Sequence, residues 1–391
     1  MISKKKLKDV GIIITGNTPS KKNEEYYNSN DINFFTPIDF KDGKLNDFKE
    51  SVKYISNNAK EKARILPQGS VLVTCIGIIG KVGIVQKESA FNQQINAIIP
   101  NKEIMNNRYL AYWLISKADY LRKKANAPVV PIINKTDFQE IELNVPNLKV
   151  QEEVVKKLDK VQKLIDIGNE KKILLDELIN NIFIDLFGNP SINNKKFEKV
   201  KLRECLINID NGKSFVCENF ARTNDYPAIL KLSAVTYGYY NQEENKALID
   251  EDMYISSVEV KKGDLLFTRK NTPELVGMST YVYNTMPNLM LPDLIFRLNT
   301  NEKCNKVFLW KLINHKQFRN RITQISNGSA KSMSNISKER LMDLEIILPP
   351  IELQNKFADF IEKVEKQKEQ IKNNLKEIET LKNEVMNKYF D

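Results

Sequence analysis

Between Pro146 and Phe187 the chain contains no proline, and its apolar residues recur at three- and four-residue steps. Val154, Leu158, Val161, Leu164 and Ile165 begin a stripe. Ile173, Leu174, Leu178, Ile182 and Phe183 resume it after Gly168, with Lys, Asp, Glu and Gln between. This spacing predicts one helix with a narrow apolar face of the coiled-coil kind. About 38 residues at roughly 1.5 Å each span on the order of 57 Å, which suits a spacer or docking rod better than the interior of a compact domain. The pattern returns near the C-terminus in Phe357, Ile361, Val364, Ile371, Leu375, Ile378 and Val385. The expected seam is therefore Val154, Leu158, Val161, Ile165, Leu174 and Leu178 against Phe357, Ile361, Val364, Ile371, Leu375 and Ile378.

The second stretch is a copy of the first. Ile133, Lys135, Glu142, Pro146 and Gln151 are matched 203 positions later by Ile336, Lys338, Glu345, Pro349 and Gln354. Nearer the helix ends, Asp176–Phe183 resembles Asn383–Phe390 at an offset of 207, which implies four extra residues in the second helix. Four residues are close to one turn, so the seam would stay in phase with a local stutter. Upstream, Lys6–Asp9, Gly69–Thr74 and Asn107–Leu110 resemble Lys201–Glu204, Gly263–Thr268 and Asn305–Phe308.

The expected organisation is a first globular domain at 1–148, a spacer helix at 149–187, a linker at 188–194, a second domain at 195–349 and a second helix at 350–391. Gly188 and Pro190 supply the helix stop. A linker that short returns the second helix to the first, giving an antiparallel coiled coil with a pseudo-two-fold internal repeat. Short apolar strands with turn signals surround few helices, so each globular part reads as mixed α+β. Gly11–Thr15, Asn33–Pro37, Val71–Cys75, Lys81–Val85 and Gln94–Ile99 are the expected strands of the first part, and Arg108–Lys123 is its helix. Between Phe215 and Val258 no residue-level match to the first half survives.

Charge and composition narrow the function. Lys and Arg number 60 against 50 Asp and Glu, a formal net charge of +10 that favours acidic partners such as nucleic acid. Cys75, Cys205, Cys217 and Cys304 form no CxxC pair and suggest neither a disulfide frame nor zinc, but a reducing cytoplasm. No apolar run follows Met1–Lys6, so no signal peptide is expected, and no apolar run is long enough to cross a membrane. His315 is the only histidine, which removes most His-based triads and metal sites; it reads as a polar residue on a helix surface. No phosphate-binding loop, methyl-donor motif or acidic metal cluster is present in the sequence.

Polar and basic residues gather instead in loops. Ile76–Gly80 reads as a hairpin turn whose backbone and Lys81 could approach a phosphate. Asn92, Gln93 and Gln94 offer side-chain amides of the kind that pair with base edges, or hold the entry to a strand. Arg269, Lys270 and Asn271 follow a strand at the corresponding place in the second half, and Lys331 and Ser332 lie in a Gly-Ser loop before the second rod.

The order of these features resembles the specificity subunit of type I restriction–modification systems. The resemblance rests on Gly16-Asn17-Thr18-Pro19-Ser20, Phe91–Gln94, Ile133-Asn134-Lys135, Pro146, Gln151, Leu186-Phe187-Gly188, Pro349-Pro350 and Gln354, in duplicate order over essentially the whole chain. It implies two target-recognition domains that read a bipartite double-stranded DNA site. It also implies a helix pair that docks two methyltransferase subunits, through which restriction subunits join. S-adenosylmethionine would then belong to the partner, with no cofactor, metal or catalytic residue on this chain. Asn17, Thr18 and Ser20 become DNA-contact candidates, with Lys213 and Ser214 at the corresponding place, although Gly212-Lys213-Ser214-Phe215 departs from the family's Gly-x-Thr-Pro opening. The alternatives are a stand-alone architectural DNA-binding protein or an autonomous methyltransferase or nuclease with unfamiliar motifs.

Overall fold

The computed structural model describes residues 2–125, 130–327 and 333–390. The chain forms two compact units. The first comprises residues 1–170 and 371–391, and the second comprises residues 171–370. Each unit therefore holds one half of each long helix.

In the first unit a five-stranded sheet runs in the order Gly11–Thr15, Ile95–Pro100, Val71–Thr74, Val82–Val85, Leu45–Phe48. All pairings are antiparallel except the last. A smaller sheet is ordered Tyr54–Ile55, Ile32–Phe35, Ser89–Phe91, Ile65–Leu66, with Ile32–Phe35 parallel to Ser89–Phe91. The strand Val71–Thr74 is buried at every position because both its faces are covered. Leu72 packs with Phe35, Phe48 and Phe91 on one side. Val71 and Val73 pack with Tyr109, Tyr112 and Leu158 on the other. The helix expected at Arg108–Lys123 is two helices, Asn107–Ser116 and Ala118–Lys124, and Tyr120 lies exposed on the second.

The second unit repeats this plan with one strand fewer in each of the two sheets. Leu206–Asn211, Ile295–Thr300, Leu265–Thr268 and Ser279–Tyr281 form the larger sheet in the same order. Asn245–Ala247, Ala228–Leu230 and Leu289–Met290 form the smaller one, with Ala228–Leu230 parallel to Leu289–Met290. The stretch without a sequence match thus keeps the pairing at the centre of the smaller sheet, one antiparallel and one parallel neighbour, but supplies no strand to the larger sheet as Leu45–Phe48 does in the first unit. The frame needs only apolar residues of suitable size at strand positions, not the same residues.

The two long helices are Leu148–Phe187 and Ile351–Phe390, 40 residues each. Their first and last residues all keep the 203-residue offset, so the expected four-residue insertion is absent. The match at 207 paired two amphipathic segments one turn out of step. Within the first unit Lys157 pairs with Tyr389, Gln162 with Lys382, and Gly168 packs on Leu375. Within the second, Asp176 meets Lys368, and Phe183 packs edge-on against Phe357. Both sets run in opposite directions along the two helices, so the pair is antiparallel.

Val154, Leu158, Val161 and Ile165 are buried, as are Phe357, Ile361, Val364 and Leu375, with Ile371 and Ile378 packed beside them. Leu174 and Leu178 are not in the seam; they are 54% and 41% exposed. Steps of four and three continue from Ile165 through Gly168, Lys172 and Leu175 to the buried Ile179. Gly168 is therefore a seam position and not an interruption. Placing the seam at Leu174 and Leu178, one residue before Leu175 and Ile179, turns its face by about 100°. His315 is also corrected. It is buried, with its ring stacked on Phe183 at 4.7 Å and its Nδ1 accepting from the Gln317 backbone N–H at 3.3 Å.

One glutamine per unit ties a long helix to its sheet domain. Gln151 accepts from the Asn106 N–H at 2.8 Å and donates to the carbonyls of Ile104 and Pro146. Gln354 repeats each bond with Asn305, Lys303 and Pro349. Asn106 and Asn305 cap the equivalent helices, so Tyr109 corresponds to Phe308, one residue away from the match read in the sequence.

Candidate nucleic-acid interface

Strand direction gathers most of the candidate loops at one end of the larger sheet in each unit. In the first unit, Gly11–Thr15 and Val71–Thr74 finish at this end, while Ile95–Pro100 and Val82–Val85 begin there. The Gly16 N–H donates to the Ile95 carbonyl and the Asn17 N–H to the Phe91 carbonyl. A Cβ on Gly16 would stand 2.1 Å from the Asn92 carbonyl oxygen, so the close crossing of the two chains requires glycine. The second unit reproduces it. The Gly212 N–H donates to Ile295 and the Lys213 N–H to Leu291, and a Cβ on Gly212 would lie 2.0 Å from the Pro292 carbonyl oxygen. Residues 91–95 and 291–295 are thus the same turn with different side chains, Asn-Gln-Gln in one and Pro-Asp-Leu in the other.

The side chains at this end have unequal freedom. Thr18 donates to the Gln93 side chain at 2.6 Å, and Gln93 is exposed. Asn17 bonds the Lys62 carbonyl and the Arg64 N–H, fixing its loop. Ser20 is exposed, and its carbonyl accepts from the Asn23 N–H. Gln94 is half-buried and accepts from the Asn92 side chain at 2.9 Å. Asn92 is itself buried, its amide nitrogen donating to the Gln94 side chain and its oxygen accepting from the Gln94 N–H, so both ends of the side chain brace the turn. Lys81 starts the hairpin's second arm, with Nζ 3.3 Å from the Phe40 carbonyl.

In the second unit Lys213, Ser214 and Lys270 are exposed. The Arg269 guanidinium lies 5.0 Å from the centre of the Phe296 ring, and its Nε is 3.4 Å from the Asn335 side-chain oxygen. Asn271 is buried and donates to Thr236 Oγ1 at 3.1 Å, so it too supports a loop. Lys331 and Ser332 lie outside the described residues.

Sequence reading missed the loops that follow the parallel strands of the smaller sheets. The Asn92 N–H donates to the Phe35 carbonyl, which brings Thr36–Phe40 beside the first turn. The Asn271–Thr236 bond does the same for Thr236–Tyr240 in the second unit. The available signal was the run Tyr237-Gly238-Tyr239-Tyr240, aromatic around a glycine. Among the described residues no group of three or more His, Cys, Asp or Glu is placed to hold a metal ion, and no helix is long and apolar enough to cross a membrane.

Two copies of one α+β frame, alike in backbone and unlike at their loop tips, define an internally duplicated protein. The pattern of the type I restriction modification DNA specificity domain matches residues 2–177 and again 194–380, and the chain belongs to that family. It is 30% identical over 208 residues to the type I restriction enzyme MjaIX specificity subunit of Methanocaldococcus jannaschii, covering 52% of this chain and 46% of that protein. With the MjaVIII specificity subunit of the same organism it shares 24% identity over 333 residues, 79% of this chain and 74% of the other. The EcoEI specificity subunit of Escherichia coli is 31% identical over 46% of this chain and 30% of its own length. The chain thus matches half or less of the MjaIX and EcoEI proteins. In fold it is similar to the crystal structure of the type I restriction–modification S subunit from M. genitalium, with a TM-score of 0.62 at 14% identity over 100% of this chain and 96% of that one.

Proposed function

We propose that this chain is the sequence-specific DNA-binding subunit of a type I restriction–modification complex, reading a bipartite duplex target with one half-site per unit. The observation that carries this reading is the duplicated turn, where Gly16 and Gly212 make the same crossing under different side chains. A constant frame with variable loop tips is how a duplicated protein comes to read two sequences. Thr18, Ser20, Gln93 and Gln94 face the first half-site in this reading, and Lys213, Ser214, Arg269 and Lys270 the second. The lysines and arginine position the duplex through phosphates, and the amides and hydroxyls read base edges. Replacing residues 195–349 with the corresponding segment of another family member changes one half of the methylated motif in cells carrying the partner subunits. A change in both halves would sink the assignment of one unit to each half.

The chain carries no catalytic role in this proposal. Two methyltransferase subunits supply the chemistry and hold S-adenosylmethionine, restriction subunits join through them, and the complex works on DNA in the cytoplasm. Exposed apolar side chains on the first long helix support such docking: Leu164 and Ile167 in the first unit, Ile173, Leu174 and Leu178 in the second. Substituting Leu174 and Leu178 by Asp lowers the yield of methyltransferase subunit co-purified with the full chain, while the seam behind them stays intact.

A further inference from the structure

After Ala228–Leu230 and the short helix Ser233–Thr236, residues from Thr236 to Tyr240 alternate between inward braces and outward rings. Thr236 receives the Asn271 amide at 3.1 Å, the Gly238 carbonyl receives the Trp310 indole N–H at 3.2 Å, and the Tyr240 hydroxyl meets Thr285 Oγ1 at 2.7 Å. Between these anchors Tyr237 and Tyr239 stand 61% and 58% exposed, with ring centroids 6.4 Å apart and planes at 26°. Gly238 has φ of +79°, the left-handed conformation that lets both neighbours point outward. Two large rings held in water by a braced loop are an apolar surface prepared for a partner. The loop lies at the sheet end that also carries Lys213, Arg269 and Lys270, so the basic residues nearby suit a polyanion. The corresponding loop of the first unit, after Ile32–Phe35, presents Ile38, 71% exposed on the short turn Pro37–Asp39. Both units therefore carry an apolar tip at the same place, one aromatic and one aliphatic.

We infer that Tyr237 and Tyr239 form a wedge that stacks on and partly opens one base step of the half-site read by the second unit. Aromatic and branched aliphatic side chains used this way unstack a step, and the energy required depends on the bases at that step. The wedge thus reads deformability where the polar loops read base edges, and Ile38 does the same for the other half. This inference rests on the DNA-reading function proposed above.

The test uses the full chain co-expressed with its methyltransferase subunits. Sequencing of methylated DNA from those cells gives the motif. Duplexes carrying it are then made with the fluorescent adenine analogue 2-aminopurine at successive positions. Binding raises the fluorescence at one step of the second half-site. Changing Tyr237 and Tyr239 together to Ala abolishes that rise and weakens binding roughly ten- to a hundredfold, as loss of base–aromatic stacking does. Changing both to Phe keeps the rise and the affinity, which separates stacking from hydroxyl bonding and from misfolding. No brightening at any position, an unchanged Ala pair, or a Phe pair as weak as the Ala pair overturns the wedge. Absence of any bipartite methylated motif overturns the DNA-reading function itself, a different result from a motif that is methylated equally by wild type and the Ala pair.

Discussion

Gly168 on the first long helix and Leu375 on the second share one space: a Cβ on Gly168 would come within 2.7 Å of Leu375 Cδ2. Leu375 packs against Val161 and Ile165, so it has little room to withdraw. Ala at position 168 gains about 1 kcal/mol of helix propensity but overpacks the seam at a cost of roughly 1–3 kcal/mol. Gly168→Ala is expected to destabilise the full chain by on the order of 1 kcal/mol. Combining it with Leu375→Ala recovers part of the cost of Leu375→Ala alone. A double-mutant cycle from denaturant midpoints measures this coupling, and simple additivity would show that the space is not shared.

Gln151 and Gln354 are fully buried. Removing the Gln151 side chain leaves the Asn106 N–H and the carbonyls of Ile104 and Pro146 unpaired. At about 1–3 kcal/mol for each buried group left unsatisfied, Gln151→Ala costs on the order of 3 kcal/mol or more. Hydrogen exchange checks it with unit-level resolution: protection falls around Ile95–Pro100 in this variant and around Ile295–Thr300 in Gln354→Ala.

His315 gives the second unit a pH dependence. Burial holds its pKa below the ordinary value, so the folded state binds its proton less well than the unfolded chain does. Its contribution is complete above the unfolded value of about 6.5 and is lost as pH falls through the lower folded value. The unfolding midpoint therefore begins to fall as pH drops below about 6.5, above the ordinary carboxylate range. His315→Phe keeps a ring against Phe183 and flattens the profile; an equal slope in that variant would assign the dependence elsewhere.

In the proposed DNA-reading function, Gln93 and Lys270 separate reading from positioning. Lys270→Ala weakens binding of the assembled complex on all duplexes alike and reduces the salt slope by about one. Gln93→Ala leaves the salt slope unchanged and relaxes preference at one base pair of the first half-site by about 1–3 kcal/mol. Competition binding across single-position target variants at two salt concentrations tells the two apart.

The sequence by itself determined the duplication, the two rods and their antiparallel return, because these follow from periodic apolar spacing and from turn residues read locally. It also marked Gly16 as part of the motif after the first apolar strand, while the backbone approach that leaves no space for a side chain there is seen only in the folded chain. What it did not determine is what each residue faces. The stripe could be followed to Ile165 but not past Gly168, since only the partner helix, with Leu375 filling the gap, makes a glycine a seam position. Asn92 and Asn271 have side chains suited to a base edge, yet tertiary packing buries both and spends their amides inside the fold. Tyr237 and Tyr239 have side chains suited to a core, yet braces from Asn271, Trp310 and Thr285 turn them out to solvent. Those partners lie 35 to 72 residues away from the atoms they hold. Parallel pairing across such separations is not encoded in local period or propensity, so only the folded chain decides which residues of a loop serve the frame and which face outward.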